Sequence, residues 1–259
     1  MGNYDSSKYR VVPLVDAIKS SEKNFCDFLG TVGEKGIFGL RYPNDENAFW
    51  CGKNEKKLKP PKMHLSQLID YLAENGYPKA TLENCCRERA ILFGLAEPEK
   101  KKKILKEAHR LLEANYEKDP LPKEWYVFEG CTSPDIYIEG DDYVIVCEGK
   151  WTESHITTKT TYLSRKDESR CQMIRHIQGA LNATSKRVYA FYIVDENCGY
   201  IKDLEYEAFE KQLKAERIQP ENKKDILSAF KGYTTWQKIE RVIPVKFLEI
   251  KDIDKLGNP

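Results

Sequence analysis

The chain has 259 residues, of which 42 are basic and 41 acidic, so its formal net charge is only +1; this length suffices for one large domain or two small ones. The near balance of charges excludes a protein that coats nucleic acid by bulk electrostatics, although it permits a local basic groove. Because no apolar run approaches the roughly 20 residues of a membrane-spanning helix and the first residues lack the layout of a secretory signal, we expect a cytoplasmic protein with no membrane partner.

The first part of the chain, residues 1–96, is predicted to be a mainly helical region. A helix is expected to begin near residue 62, since leucine and isoleucine recur there on one face, and to end at Asn75-Gly76. A second helix is expected over 81–93. Two helices joined in this way occur either as a helix-turn-helix that reads DNA or as plain scaffold. We therefore expect this region to serve DNA recognition or dimerisation.

The remaining residues, 97–259, carry an alternation of helix and strand patterns. Pro98 suits the first turn of a helix, and the apolar residues after it repeat at helical spacing. The run at 143–148 is apolar enough for the centre of a sheet. The expected order is α-β-β-β-α-β, followed by two helices and a closing strand, with strands at 125–128, 135–138, 143–148, 188–194 and 241–249 and later helices at 169–182, 204–217 and 221–230. This order predicts an α/β fold.

An acidic residue, any residue and then a lysine occur in order at five places, beginning at Glu55, Glu99, Glu148, Glu221 and Glu249. Chance accounts for such a number, so their surroundings must separate them. Only Glu148 lies on a strand whose expected hairpin partner opens with an acid, Asp135. Pro134-Asp135 is also the one Pro-Asp dipeptide in the sequence. Asp135 with Glu148 and Lys150 is therefore the candidate chemical centre.

The geometry of a strand gives these residues a chemical meaning. Side chains alternate along a strand, so Glu148 and Lys150 point to the same face, and a turn at 140–142 can bring Asp135 beside Glu148. Two carboxylates so placed repel each other unless a cation joins them. Mg²⁺ accepts such oxygen ligands and acidifies a bound water. A lysine beside it can orient that water and offset charge in the transition state.

This pattern resembles the PD-(D/E)XK nuclease superfamily. The resemblance rests on Pro134-Asp135, followed by Glu148-Gly149-Lys150, within the expected α-β-β-β-α-β order of residues 98–195. It implies a restriction-endonuclease-like core, with a mixed central sheet flanked by helices, and Mg²⁺-dependent hydrolysis of a phosphodiester bond, normally in DNA. It also implies that Asp135, Glu148 and the carbonyl of Gly149 hold the metal, and that Lys150 positions or activates the attacking water.

Many members of this superfamily add a polar residue, often glutamine, on the helix that follows the Glu-x-Lys strand. Gln172 has that place here, and we expect it to be catalytic. On the same helix, Arg175 and His176 are expected to contact phosphate groups. The alternative is that these residues form an ordinary solvent-facing side of the helix.

Together these inferences predict a metal-dependent endonuclease that cuts double-stranded DNA. By analogy with the superfamily alone, the most familiar role is that of a type II restriction endonuclease. Since two cuts on opposite strands usually require two copies of the chain, we expect a homodimer. Two alternatives stay open, namely a structure-specific or RNA-directed nuclease of the same fold, and an inactive nuclease-fold module that only binds nucleic acid or protein.

Overall fold

The structure, a computed structural model, describes residues 6–75, 98–118, 130–152, 157–158, 170–250 and 253. Its strands are β1 Phe49–Cys51, β2 Ile136–Glu139, β3 Tyr143–Gly149, β4 Thr157–Thr158, β5 Arg170–Cys171, β6 Arg187–Val194 and β7 Phe230–Thr235. Its α-helices are α1 Val12–Lys19, α2 Glu22–Gly30, α3 Lys62–Asn75, α4 Pro98–Asn115, α5 Gln172–Ala183, α6 Tyr206–Ala215, α7 Lys223–Ala229 and α8 Trp236–Val242. A π-helix, Ser7–Val11, precedes α1. The helix expected over 81–93 and the strand expected over 125–128 lie outside the described residues.

Five strands form one mixed sheet in the order β1-β2-β3-β6-β7. The pairs β1–β2 and β2–β3 are antiparallel, whereas β3–β6 and β6–β7 are parallel. The short strands β4 and β5 pair with each other as a separate ribbon. The prediction of an α/β protein with a mixed sheet flanked by helices is therefore confirmed.

The strand β3 lies at the centre of the molecule and is buried along its whole length. Its odd-numbered side chains, such as Ile145, pack on a core that includes residues of α1, α2 and α8. Its even-numbered side chains, such as Val146, pack on a second core built with α5, α6 and α7. This burial on both faces explains why the sequence of β3 is nearly all apolar, as a sheet-centre strand requires.

Two helices, α3 and α4, pack against each other in a third cluster. The buried residues of this cluster include Leu65, Leu68 and Ile69 from α3 and Ala108 and Leu112 from α4. The apolar stripe that predicted α3 thus faces another helix. The expected helices from residue 62 and from Pro98 are both present, and α3 ends at Asn75 as the glycine after it indicated.

The helix α8 begins directly where β7 ends. The hydroxyl of Thr235 accepts a hydrogen bond from the amide of Lys238 at 3.1 Å, which satisfies one of the free amides of the first turn. This cap turns the chain sharply and brings Trp236, the first residue of α8, under the end of β3. Trp236 is almost completely buried there.

The closing strand predicted over 241–249 is wrong. The chain instead ends α8 at Val242, and residues 243–249 are irregular and pair with no strand. Ile243 and Phe247 are nevertheless buried in the core against the sheet. The spacing of these apolar residues therefore reflects a segment that covers the core without pairing as a strand. The fifth strand is β7, which begins at the last residue of the helix predicted over 221–230 and continues into residues for which no element was predicted.

The division of the chain at residues 96 and 97 stays a prediction. Within 1–96, the strand β1 joins the main sheet through β2, and side chains of α1 and α2 belong to the same core as β3 and β6.

In the described ranges, no helix has both the length and the apolar character that a membrane crossing demands.

Candidate active site

The β2–β3 hairpin brings Asp135 beside Glu148. In its register Ile136 lies opposite Cys147, so the residue before Ile136 faces the residue after Cys147. The amide of Gly149 donates a hydrogen bond to Asp135 Oδ2 at 2.8 Å. The juxtaposition of the two carboxylates that the hairpin pattern suggested is therefore present at this end of the sheet.

The side chain of Lys150 lies between two oxygens of the site. Its Nζ donates to Glu148 Oε1 at 2.8 Å and to Gln172 Oε1 at 3.0 Å. Glu148 and Lys150 reach the same face because they are two residues apart on an extended chain. Gln172 meets them because it is the first residue of α5, which crosses that face. Three of the predicted site residues are thus joined by direct contacts.

The main chain next to Lys150 is held on two sides. The Lys150 amide donates to the Ile193 carbonyl at 2.7 Å, and the Lys150 carbonyl accepts from Trp236 Nε1 at 2.9 Å. A Cβ atom at Gly149 would lie only 3.1 Å from side-chain atoms of both Val11 and Trp236. The small middle residue of the Glu-Gly-Lys triplet therefore lets the π-helix and α8 close behind the site.

His176 occupies a position that the sequence did not predict. It has no exposed surface, and its Nε2 lies 3.0 Å from Glu148 Oε2 while its Nδ1 lies 2.8 Å from Thr132 Oγ1. The alternative of a solvent-facing side does not hold for His176, because residues 58 and 132 form a β-bridge in the layer that covers this face; its predicted contact with phosphate stays a prediction. The histidine instead touches the carboxylate that the motif had singled out.

Arg175, the other residue expected to contact phosphate, lies one position before His176 and is only partly buried. Its Nη2 is 3.4 Å from the carbonyl oxygen of Gly130. This contact keeps the guanidinium near the segment that leads into Asp135. Its predicted contact with phosphate stays a prediction.

The charges of the two carboxylates are compensated to different degrees. Burial raises the pKa of Asp135 well above its usual range, and the neighbouring charge of Glu148 raises it further. Burial would also raise the pKa of Glu148, but the ammonium of Lys150 and the hydrogen bond from His176 outweigh it and hold this pKa below its usual range. Glu148 is therefore a stable buried anion, whereas a charged Asp135 needs a cation.

A buried ionic network that the sequence did not reveal lies behind α5. Arg170 Nε donates to Glu216 Oε2 at 2.7 Å, and its two terminal nitrogens contact His64 Nε2 and Gln178 Oε1. All four side chains are buried. The network links β5, α3, α5 and the end of α6, so it fixes the helix that carries Gln172 and His176.

The oxygen donors at this site suit a hard divalent cation. Among the residues that the structure describes, no group of three or more histidine, cysteine, aspartate or glutamate side chains is gathered in a way that could hold a metal. The predicted ligands are two carboxylates and the carbonyl of Gly149. So few protein ligands suffice for Mg²⁺, because this ion usually keeps several bound waters. Burial and the neighbouring Glu148 disfavour the charged form of Asp135, and a bound cation would favour it.

Comparison of the chain with protein-family models, with curated proteins and with solved structures finds no match.

Proposed function

We propose that this protein is a Mg²⁺-dependent endonuclease of the PD-(D/E)XK kind that hydrolyses phosphodiester bonds in double-stranded DNA. The observation that carries the proposal is the meeting of Asp135, Glu148, Lys150 and Gln172 at one end of the sheet, with Lys150 Nζ bonded to both Glu148 and Gln172. Four residues chosen for one chemistry converge, although 37 positions separate the first from the last.

The chain topology supports a restriction-endonuclease-like core. The antiparallel hairpin β2–β3 is followed by α5 and then by β6, which lies parallel to β3. In this arrangement the acidic residue that precedes β2 and the Glu-x-Lys residues that end β3 lie at the same end of the sheet. The proposed reaction depends on this end of the sheet.

In the proposed reaction Asp135, Glu148 and the Gly149 carbonyl would hold Mg²⁺. The bound ion would acidify a water molecule and neutralise charge on the phosphate. Because Glu148 is buried and Asp135 is half-buried, solvent weakens their attraction for a cation less than at an exposed site. The free-energy cost of a charged Asp135 in the absence of a cation favours binding of the ion.

Lys150 and Gln172 would position the attacking water. Hydrogen bonds to Glu148 and to Gln172 hold the ammonium of Lys150 in a fixed position. A cation so placed stabilises the negative charge that builds up on the phosphate in the transition state. The water oxygen would form the new bond to phosphorus opposite the leaving oxygen, which departs as a hydroxyl, without a covalent enzyme intermediate.

Type II restriction is the role we propose for this activity, with a homodimer that cuts both strands. It rests on analogy with the superfamily and on symmetry. Arg175, one position before His176 and near Gly130, is the side chain that we assign to a backbone phosphate. Such contacts orient the nucleic acid without reading its sequence.

Cleavage of a supercoiled plasmid in Mg²⁺ and in EDTA tests the proposal. We expect wild-type protein to cut in Mg²⁺ alone, and Asp135→Asn and Lys150→Met to lose about 10²-fold or more in rate. The matched control is Asp142→Asn, on the exposed turn of the same hairpin, which should cut at the wild-type rate. Discrete fragments would support restriction, and a smear would argue against it.

Two outcomes would overturn the proposal in favour of its rivals. Cleavage of RNA or of branched DNA in preference to the plasmid would indicate a nuclease of the same fold with another substrate. Tight binding of DNA without cleavage in Mg²⁺ or Mn²⁺ would indicate a binding module. Cleavage that persists in Asp135→Asn would reject the assignment of the site.

A further inference from the structure

The buried histidine of the site makes two hydrogen bonds that together fix its ring. His176 Nε2 lies 3.0 Å from Glu148 Oε2, and His176 Nδ1 lies 2.8 Å from Thr132 Oγ1. The side chain has no exposed surface, and Thr132 and Glu148 are also buried. No solvent replaces either contact if it is lost.

The hydrogen-bonding groups define which nitrogen carries the proton. A carboxylate only accepts, so the nitrogen that faces Glu148 must be a donor. The hydroxyl of Thr132 has one proton to donate, and Nδ1 is the acceptor within reach. This arrangement satisfies all three groups when Nε2 donates to Glu148 and Nδ1 accepts from Thr132, which is the assignment we adopt.

We propose that His176 is a positioning residue that holds Glu148 in the orientation in which it binds the divalent cation, through a relay from Thr132 to His176 to Glu148. The inference rests on the proposed function, because it assigns Glu148 to the metal. It gives His176 a role in place of the predicted contact with phosphate. The ring touches neither the cation nor the substrate.

The orientation of the Glu148 carboxylate depends on two different partners, one for each of its oxygens. Lys150 Nζ holds Oε1 and His176 holds Oε2. With the histidine removed, the carboxylate would be free to rotate toward Lys150 and form two bonds to the ammonium. Ligand carboxylates are usually held by hydrogen bonds of this kind, and the loss of one typically costs 10- to 100-fold in metal affinity.

The other end of the relay is anchored in the backbone. The amide and carbonyl of Thr132 pair with those of Leu58, at 2.9 Å and 2.8 Å. One turn after His176, Gly179 allows α5 to approach this bridge, since a Cβ atom there would lie 2.8 Å from Leu58 Cβ and 3.5 Å from Thr132 Cγ2. The distance between Thr132 and His176 is therefore fixed by close backbone packing.

The test compares variants that keep or remove each donor. His176→Gln keeps an amide donor near the place of Nε2, whereas His176→Leu removes it. Thr132→Ser keeps the hydroxyl, whereas Thr132→Val replaces it with a methyl group. The affinity for Tb³⁺, a hard oxygen-seeking cation, is read from luminescence sensitised by nearby tryptophans, since Trp236 Nε1 bonds to the Lys150 carbonyl, and Mg²⁺ is used as the competitor.

We expect His176→Leu and Thr132→Val to bind Tb³⁺ 10- to 100-fold more weakly than wild type. His176→Gln and Thr132→Ser should recover most of that loss, which a purely structural role would not produce. Phe209→Leu, in the buried core of α6, is a matched control that destabilises the fold and should leave the affinity unchanged. Equal affinity in wild type and His176→Leu would overturn the inference and leave the proposed function standing.

A second measurement does not depend on metal or on DNA. In metal-free wild-type protein, ¹⁵N chemical shifts of the His176 ring should report a protonated Nε2 and an unprotonated Nδ1, and Thr132→Val should shift the Nδ1 signal. A proton on Nδ1 would overturn the relay. Failure of wild-type protein to bind Tb³⁺ or Mg²⁺ with the expected ring signals would instead reject the metal site, and with it the proposed function.

Discussion

Asp135 and Glu148 lie side by side at the end of the β2–β3 hairpin, but their charges are compensated differently. Glu148 accepts hydrogen bonds from Lys150 and His176, whereas Asp135 accepts one from the amide of Gly149. The pKa of Glu148 is accordingly lowered and that of Asp135 is raised. This asymmetry predicts opposite effects on stability when each residue loses its charge.

Asp135→Asn is expected to stabilise the metal-free protein at neutral pH. Asparagine keeps an oxygen that accepts from Gly149 and removes a half-buried charge that repels Glu148. The gain should be on the order of 1 kcal/mol, or about 2–4 °C in Tm. Thermal unfolding in EDTA checks it, and the same variant should lose the stabilisation that Mg²⁺ gives to wild type.

The pH dependence of this gain has a definite sign. The pKa of Asp135 is higher in the folded protein than in the unfolded chain, so wild-type stability is greatest below the unfolded value and falls as pH rises through the folded value. Asp135→Asn has no titrating group at this position, so it does not lose stability in this way as pH rises. Its advantage should therefore grow from pH 5 to pH 8, and an advantage that is constant over this range would contradict the assignment.

Glu148→Gln is expected to act in the opposite direction. The substitution removes the carboxylate that pairs with the largely buried ammonium of Lys150 at 2.8 Å, which should cost roughly 3 kcal/mol at pH 7.5. Because the pKa of Glu148 is lowered, its contribution is present above the unfolded pKa and is lost as pH falls. Urea titrations of wild type and variant should thus converge toward acidic pH, and parallel curves would refute the account.

The hairpin of the site could be predicted from sequence because its rules are local. Side-chain alternation fixed the common face of Glu148 and Lys150, and the turn between β2 and β3 set which acid could reach them. The helix α5 followed from its apolar spacing. What escaped was the environment of α5, since the residues that cover His176 come from segments more than 40 positions earlier.

The edge strand β7 was missed, and a strand over 241–249 was wrongly predicted, for a different reason. The strand β7, Phe-Lys-Gly-Tyr-Thr-Thr, contains residues that favour strands, but Lys231 and Gly232 interrupt them, so no regular alternation of apolar and polar residues marks a strand. Ile243 and Phe247 alternate like strand residues, but Pro244 lies between them and has no amide to donate. Which strands pair is decided by the whole sheet, so the local sequence of one strand gives little information about it.

The Arg170–Glu216 pair is expected to be a main determinant of the position of α5. Arg170→Met leaves a buried carboxylate unpaired and should destabilise the protein by about 3–5 kcal/mol. The double variant Arg170→Met, Glu216→Leu should recover much of this, since no charge then stays buried. Asp142→Asn, which breaks an exposed pair with Arg187, should leave the unfolding free energy nearly unchanged.

Arg175→Gln is expected to weaken DNA binding without affecting the chemical step. The loss of one phosphate contact should raise the Kd similarly for all sequences and reduce the slope of log K against log salt by about 1. Fluorescence anisotropy in EDTA at several salt concentrations measures both quantities, with Lys223→Gln on α7 as the control. An unchanged slope would show that Arg175 meets no phosphate.

Gly179→Ala separates helix propensity from packing. In an exposed helix this change stabilises by up to about 1 kcal/mol. Here the new Cβ atom would lie 2.8 Å from Leu58 Cβ, so α5 must shift away from the bridge that holds Thr132. We expect a net loss of about 1–2 kcal/mol and weaker binding of Tb³⁺, because His176 moves with the helix. Gly199→Ala, which has open space around it, should be neutral in both assays, and a Gly179→Ala protein more stable than wild type would show that the contact between α5 and Leu58 does not position the site.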